Sequence, residues 1–282
     1  MVCLTEETTE TLYLLGEQDR IVGISGYTCR PPQARREKPK VSAFTSAKLE
    51  RILELQPDLV LAFSDLQAEI TRSLVQRGAT VMHWNQRSVP EILDMIAALA
   101  RLVGVEAKGR ELAARLEAEL SAIRDSARRF PRRPRVWFEE WHEPLIGGIR
   151  WVEELVTVAG GDPLFPELLP AAAARDRILT PEQVAQRQPE VIIASWCGRK
   201  ANKDWIRGRP GWQELPAVRA GHVYEIKSTY ILQPGPAALT EGVRQLHALL
   251  ARAVGVSVPP ALAPAERLDP EAQSAPPDHR AF

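Results

Sequence analysis

Two stretches of the chain, "ERILELQPDLVLAF" (50–63) and "EQVAQRQPEVIIAS" (182–195), align without a gap. Glu50/Glu182, Gln56/Gln188, Pro57/Pro189 and Ala62/Ala194 are identical, and the apolar positions between them coincide. Each stretch reads as a helix, a proline that cannot continue it, and a buried strand. With a long helical pattern between the copies, this repeat favours two like lobes over its alternative, one continuous doubly wound sheet.

The rest of the chain fits that reading. Short apolar runs ending in polar loops alternate with helical patterns, the signature of parallel α/β structure. Strands are expected at "VCL", "RIVGIS" (20–25), "VSAF" (41–44), "LVLAF" (59–63) and "TVMHW" (80–84). The first helix, "TEETTETLYLLG", is expected to start on a capping threonine and stop at Gly16. Residues 106–129 carry Leu112, Leu116, Leu120 and Ile123 at helical spacing, so they form one long amphipathic helix. The rhythm then restarts with "RVWFEEW", a helix 150–159 stopped by "GG", a helix 181–187, "VIIASW", "HVYEI" and a last helix 237–254. The fold class is therefore α/β: two Rossmann-like lobes with parallel sheets joined by one long α-helix. The expected boundaries are 1–105 for the N-terminal lobe, 106–130 for the linking helix and 131–255 for the C-terminal lobe. The Pro- and Ala-rich residues 256–282 are expected to be a disordered tail.

Bulk properties exclude several classes. Lys plus Arg and Asp plus Glu both number 36, so no global field recruits nucleic acid or anionic lipid. The longest apolar runs are strand-sized, far short of the ~20 residues that span a bilayer. Cys3, Cys29 and Cys197 show no CxxC spacing, which excludes a disulfide framework and a cysteine-type zinc site. The first residues lack the basic segment and apolar core of a secretory signal, so the chain as written is expected in the cytoplasm. A monomer is expected.

In parallel sheets, ligands bind beyond the carboxyl ends of the strands. Those ends carry Tyr27, Phe44, Phe63, Trp84, Asn85 and Gln86 in the first lobe. In the second they carry Trp141, His142 and Trp196, followed by Lys227, Ser228 and Tyr230. Aromatics are only 6% of the chain, yet one falls at nearly every such end. A cleft lined this way suits a large, flat, partly apolar ligand held by stacking and a few polar contacts. Enzyme signatures such as GxSxG, GxxxxGK[ST], HExxH and GxGxxG are missing. "GGIR" (147–150) could hold an anion on free amides or be a tight turn. The acid-rich "FEEWHEPL" (138–145) invites a metal or acid/base reading. Strand alternation, however, points Trp137, Glu139 and Trp141 one way and Val136, Phe138 and Glu140 the other, which separates the paired carboxylates.

These motifs resemble the cobalamin-binding (corrinoid/iron-siderophore type) substrate-binding proteins of ABC importers, a class III periplasmic-binding-protein-like family. The likeness rests on "LTEETTE", on Tyr27 ahead of "RPP", on Phe44 in "VSAFTSAKLERI", on Phe63 closing "PDLVLAF", and on "EEW" followed by "EPL". It covers about residues 2–254. It implies a non-enzymatic protein with no cofactor of its own, taking a corrinoid such as cobalamin or cobinamide in an inter-lobe cleft. The resemblance further implies docking on a dimeric ABC permease through one exposed glutamate per lobe, matching Glu50 and Glu182, and a periplasmic location. An axial bond from His142 to cobalt is a further expectation.

The chain departs from the family pattern in lacking an export signal and lipoprotein cysteine, in carrying Cys29 and Arg30 in the loop after Tyr27, and in holding Asp176 where the family has a tryptophan. Two other readings stay open. One is a haem or ferric-siderophore carrier using Tyr27, Tyr230, His142 or Arg30. The other is a cytosolic corrinoid-handling protein that has lost the transporter role.

Overall fold

The computed structural model describes residues 1–265 of the 282-residue chain. It divides into two compact units. Unit 1 holds residues 1–86 and 90–115, and unit 2 holds residues 87–89 and, among the described residues, 116–265.

Unit 1 alternates strand and helix: β1 (Val2–Cys3), α1 (Glu6–Leu14), β2 (Gly23–Ser25), α2 (Pro32–Glu37), β3 (Lys40–Ser42), α3 (Leu49–Glu54), β4 (Val60–Phe63), α4 (Ala68–Gln76), β5 (Val81–Trp84) and α5 (Val89–Leu102). The strands form one parallel sheet in the order β3-β2-β1-β4-β5. Both faces are covered, which is why the strands read as unbroken apolar runs. Val2, Leu4, Val60 and Ala62 pack on one face with Ile52 and Leu74. Cys3, Ile24 and Leu61 pack on the other with Leu12 and Leu99. The expected capping role of Thr5 is not realised. Its hydroxyl donates instead to Glu7 Oε1 at 2.5 Å, because the turn from β1 into α1 buries both side chains.

Helix α6 (Glu106–Ala127) contributes residues 106–115 to unit 1 and its remainder to unit 2. Leu112, Leu116, Leu120 and Ile123 are all buried, as their spacing requires. Within unit 1, Gly109 lets α6 approach α5: a Cβ there would lie 2.3 Å from that of Ala100. Within unit 2, Arg244 grips Glu119 with two hydrogen bonds of 2.5 and 2.9 Å.

Unit 2 comprises β6 (Arg135–His142), β7 (Leu145–Gly147), α7 (Arg150–Ala159), β8 (Asp162–Pro163), β9 (Ile178–Leu179), α8 (Pro181–Gln186), β10 (Val191–Ala194), α9 (Lys203–Arg207), α10 (Pro216–Arg219), β11 (Val223–Glu225), α11 (Ser228–Ile231) and α12 (Val243–Ala253). The sheet runs β11-β10-β6-β7-β9, with β8 added beside β6. Pairings of β6 with β10 and β10 with β11 are parallel, whereas β7 pairs antiparallel with both β6 and β9. The α/β class with parallel strands holds, and the second sheet adds β7, which runs antiparallel to its neighbours. "EPLIG" turns back as a hairpin instead of leaving the sheet as a loop. The last helix begins as a π-helical turn over Ala238–Gly242, where Gly242 passes close to the carbonyl of Tyr230. Part of the expected tail is ordered: Pro260–Leu262 form a helical turn and Leu262 is buried. The remainder of that tail lies outside the described residues.

The sequence repeat is a structural repeat as well. Helices α3 and α8 each bury one residue completely, Ile52 and Val184. Each helix is followed by a glutamine of positive φ, Gln56 at 46° and Gln188 at 50°, directly before the proline. Left-handed glutamine is uncommon, and its recurrence at matched positions marks one local design used twice.

Candidate functional site

In unit 1 the strand ends carry the expected aromatics in graded exposure. Tyr27 is 40% exposed, Phe44 and Trp84 are partly covered, and Phe63 is 4% exposed. Asn85 faces solvent and Gln86 is buried. Tyr27 stands on a loop pinned from several sides. Arg35 donates to the carbonyls of Gly26 and Thr28 at 2.7 and 3.1 Å. Glu6 Oε1 accepts from the backbone N–H of Arg30 at 3.0 Å and from its guanidinium at 2.9 Å. Burial pushes the Glu6 carboxyl up to about 8 despite the opposing charge of Arg30, and burial likewise raises Glu7 to about 7. Local pattern marks "TEETTE" as a helix start, but that Glu6 and Glu10 hold Arg30 of this loop is set by contacts twenty or more residues apart.

Gln67 was also missed. Fully buried, it donates to the carbonyl of Phe44 at 2.9 Å and accepts from the N–H of Phe63 at 3.1 Å, so one side chain ties two strand ends together. No periodic pattern marks it, because its role is set by loops distant in sequence. His83, expected to pack within its strand, is half-buried. It contacts Thr71 Oγ1 at 2.7 Å and the carbonyl of Ser64 at 2.9 Å.

In unit 2, Glu139 resolves the question raised by "FEEWHEPL". It is fully buried and accepts from both terminal nitrogens of Arg209 at 2.6 and 2.7 Å, from Trp137 Nε1 at 3.2 Å and from Trp196 Nε1 at 3.1 Å. Four donors satisfy both carboxylate oxygens, leaving this acid nothing for a ligand. Glu140 points to the other face, where it pairs with buried Arg177 at 2.6 Å, as alternation requires. Arg177 also donates to the carbonyl of Gly147. Beyond Glu139 the β6 register shifts, yet Trp141 packs on the same core cluster as Trp137. Trp141 and His142 stack side by side at 5.0 Å.

His142 sits at the centre of an aromatic cluster. Trp196 lies 4.3 Å away, tilted, and Trp205 lies 5.2 Å away, edge-on. Trp196 is 3% exposed, so it supports the wall instead of forming its surface. Trp205, on α9, is 43% exposed and was not singled out from the sequence. Its ring covers the guanidinium of Arg209 at 4.3 Å, and Trp212 covers the other side at 4.5 Å. The available signal was Asn202, whose side chain caps α9 by accepting from the N–H of Trp205 at 2.9 Å. His142 Nε2 accepts from Arg199 at 3.2 Å, which places the ring proton on the buried Nδ1. Burial, reinforced by the charge of Arg199, lowers the His142 pKa, so the ring is neutral at pH 7. A groove of about 530 Å³ opens beside this cluster, lined by His142, Pro144, Leu179, Trp205 and Arg209 and ending at Thr180 and Pro181. Its size falls within the ~300–1,000 Å³ of small-molecule clefts.

In the "GGIR" turn a side chain of the protein itself takes an amide. Glu153 from the first turn of α7 folds back to accept the N–H of Gly148, and burial pushes its carboxyl up to about 8. The two exposed glutamates of the repeat differ in partners. Glu50 is paired with Arg77 at 2.6 Å, which holds its carboxyl below the usual range. Glu182 is held low by its own backbone N–H and by Thr180, the capping residue of α8. Among the described residues no three of His, Cys, Asp and Glu gather to hold a metal ion, and no helix is long and apolar enough to cross a membrane.

Two α/β units with aromatic strand ends define a ligand-binding architecture of the bilobal substrate-binding type. The chain belongs to the periplasmic binding protein family, whose pattern matches residues 1–230. It is 29% identical over 242 residues to a vitamin B12-binding protein of Vibrio parahaemolyticus, covering 85% of each chain. It is also 26% identical over 260 residues to an uncharacterized ABC transporter substrate-binding lipoprotein of Bacillus subtilis, covering 87% of this chain and 78% of that one. Among solved structures it is similar to the periplasmic vitamin B12-binding protein of Vibrio cholerae, with a TM-score of 0.71, 26% identity and coverage of 89% and 96%. The periplasmic heme-binding protein of Roseiflexus sp. RS-1 gives a TM-score of 0.74 at 25% identity, with coverage of 88% and 98%.

Proposed function

We propose that this protein binds a corrinoid, cobalamin or cobinamide, without performing chemistry on it, and delivers it to an ABC-type importer. The observation that carries the reading is the likeness to vitamin B12-binding proteins over 85% of both chains. The aromatics of each unit support it: Tyr27, Phe44 and Trp84 in unit 1, and separately Trp141, His142 and Trp205 in unit 2, offer stacking area. Asn85, which faces solvent, supplies a polar contact suited to amide side chains. Phe63, Gln86 and Trp196 lie beneath this surface and shape it. With Nε2 engaged by Arg199 and Nδ1 buried, His142 serves through its ring, stacked among the tryptophans, and not as an axial cobalt ligand. Family membership supports work outside the cytoplasm, and nothing supports the cytoplasmic expectation. Glu50 and Glu182 would meet cationic side chains of the permease.

A second reading, haem binding, is favoured by one observation: Tyr27 presents a phenol on a pinned, exposed loop, and a haem-binding structure matches the fold equally well. Calorimetry with cyanocobalamin, cobinamide and haemin separates the two. Saturable binding of a corrinoid with weaker or absent haemin binding is expected. Binding of haemin alone would overturn the corrinoid reading. Aquocobalamin bound to the His142→Ala variant should give the same absorbance spectrum as with the native chain.

A further inference from the structure

Arginines in this chain mostly have a carboxylate at hand: Arg77 has Glu50, Arg187 has Glu167, and Arg244 has Glu119. One place in unit 1 breaks that rule. The end of α2, the start of β3 and the first turn of α3 enclose a hollow of about 500 Å³. Arg35, Arg36, Lys38, Lys40, Lys48 and Arg51 surround it, against Glu37 as the one acid. Glu37 accepts from the hydroxyl of Tyr13 at 2.8 Å, and Arg35 is committed to the carbonyls of Gly26 and Thr28. The other five cations make no ion pair among the described residues.

The backbone fixes this arrangement. The N–H of Lys38 closes the last turn of α2 on the carbonyl of Ala34 at 3.0 Å. That of Lys48 donates to Val41 at 2.9 Å, and Ser42 bridges to Ala47, drawing α3 back against β3. Cations on three separate elements are thus held around one concavity in a chain whose formal net charge is zero. Like charges on a concave wall focus a positive potential into it. β3 is an edge strand, and a lysine on an edge discourages pairing with other chains. That accounts for Lys40, but Arg36, Lys38, Lys48 and Arg51 lie outside the strand.

We propose that this hollow binds a multiply charged, phosphate-bearing anion. Ammonium and guanidinium groups are the side chains suited to phosphate oxygens, and several converging cations match several phosphates better than one. The same chemistry is offered by a soluble polyphosphate compound and by the headgroups of an anionic bilayer.

Calorimetry of the full chain with inorganic tripolyphosphate, and co-sedimentation with phosphatidylglycerol or phosphatidylcholine vesicles, distinguish the two sources. Both are run at low salt and at about 0.15 M ionic strength, where exposed charges are screened beyond ~8 Å. Saturable tripolyphosphate binding supports a soluble ligand; binding only to phosphatidylglycerol vesicles supports a headgroup. In either case the triple variant Lys40→Gln/Lys48→Gln/Arg51→Gln should weaken binding roughly tenfold or more, the size of one lost charge-assisted contact. Lys40→Arg/Lys48→Arg should retain it. An unchanged melting temperature confirms that the variants fold. Absence of binding to both probes, or full binding by the triple variant, overturns the proposal and leaves the cations as protection of an edge strand.

Discussion

Glu139 and Glu140 are neighbours in sequence and partners of two different arginines, Arg209 and Arg177, on opposite faces of β6. Glu139 is a buried charge made tolerable by Arg209, and removing one member of such a pair costs ~3–5 kcal/mol, whereas Glu140 is partly exposed and holds the buried Arg177. Glu153 contrasts with both, because burial outweighs the pull of Arg177 and raises its carboxyl to about 8. The folded state therefore favours its protonated form. Its stabilising contribution is complete below the unfolded value of 4.5 and is lost as pH rises through about 8. Relative to the native chain, Glu153→Gln should gain more than about 1 kcal/mol of stability between pH 5 and pH 8. Urea denaturation at the two pH values measures this, and a constant difference would refute it.

At the scale of elements, α3 and α8 carry the repeat. The matching residues Glu50, Gln56, Pro57 and their counterparts made it visible from sequence alone, because a helix, a stop and a buried strand each impose a local pattern. The left-handed glutamines were not visible, since nothing in their composition demands positive φ. Glycine adopts that conformation without the Cβ penalty, so Gln56→Gly should stabilise unit 1 by about 0.5–1 kcal/mol. A lower melting temperature would show that the glutamine side chain contributes more than the strain costs. The β6–β7 hairpin was missed for a related reason. "EPL" reads as a loop locally, and its pairing with Ile178–Leu179 is set more than thirty residues downstream.

For the molecule as a whole, two sets of buried groups titrate in opposite senses. Burial raises Glu6, Glu7 and Glu153, so their contribution to stability declines as pH rises through about 7 to 8. Burial lowers His247, His222 and His142, so theirs is present above the unfolded value of 6.5 and is lost as pH falls below it. Thermal unfolding across pH should therefore show greatest stability in mildly acidic solution, between about pH 5 and 6.5. A monotonic rise to pH 8 would contradict the buried-acid assignment. On the transport reading, Glu50→Ala/Glu182→Ala should abolish delivery to a permease in reconstituted vesicles while leaving ligand affinity within about twofold. Loss of ligand affinity would place these glutamates elsewhere in the function. Because Glu50 is already paired with Arg77, docking there must displace an existing partner.

By itself the sequence determined the α/β class, the repeat, the long helix and the strand ends where aromatics gather, since each follows from periodicity and stop residues over a few turns of chain. Only the tertiary structure decided which of those aromatics present surface. Trp196 and Phe63 sank into the wall, Trp205 emerged from it, and Glu139 was consumed by Arg209, seventy residues away. The physical reason is that a side chain's exposure and its hydrogen-bond partners depend on contacts between distant segments, which no local pattern encodes.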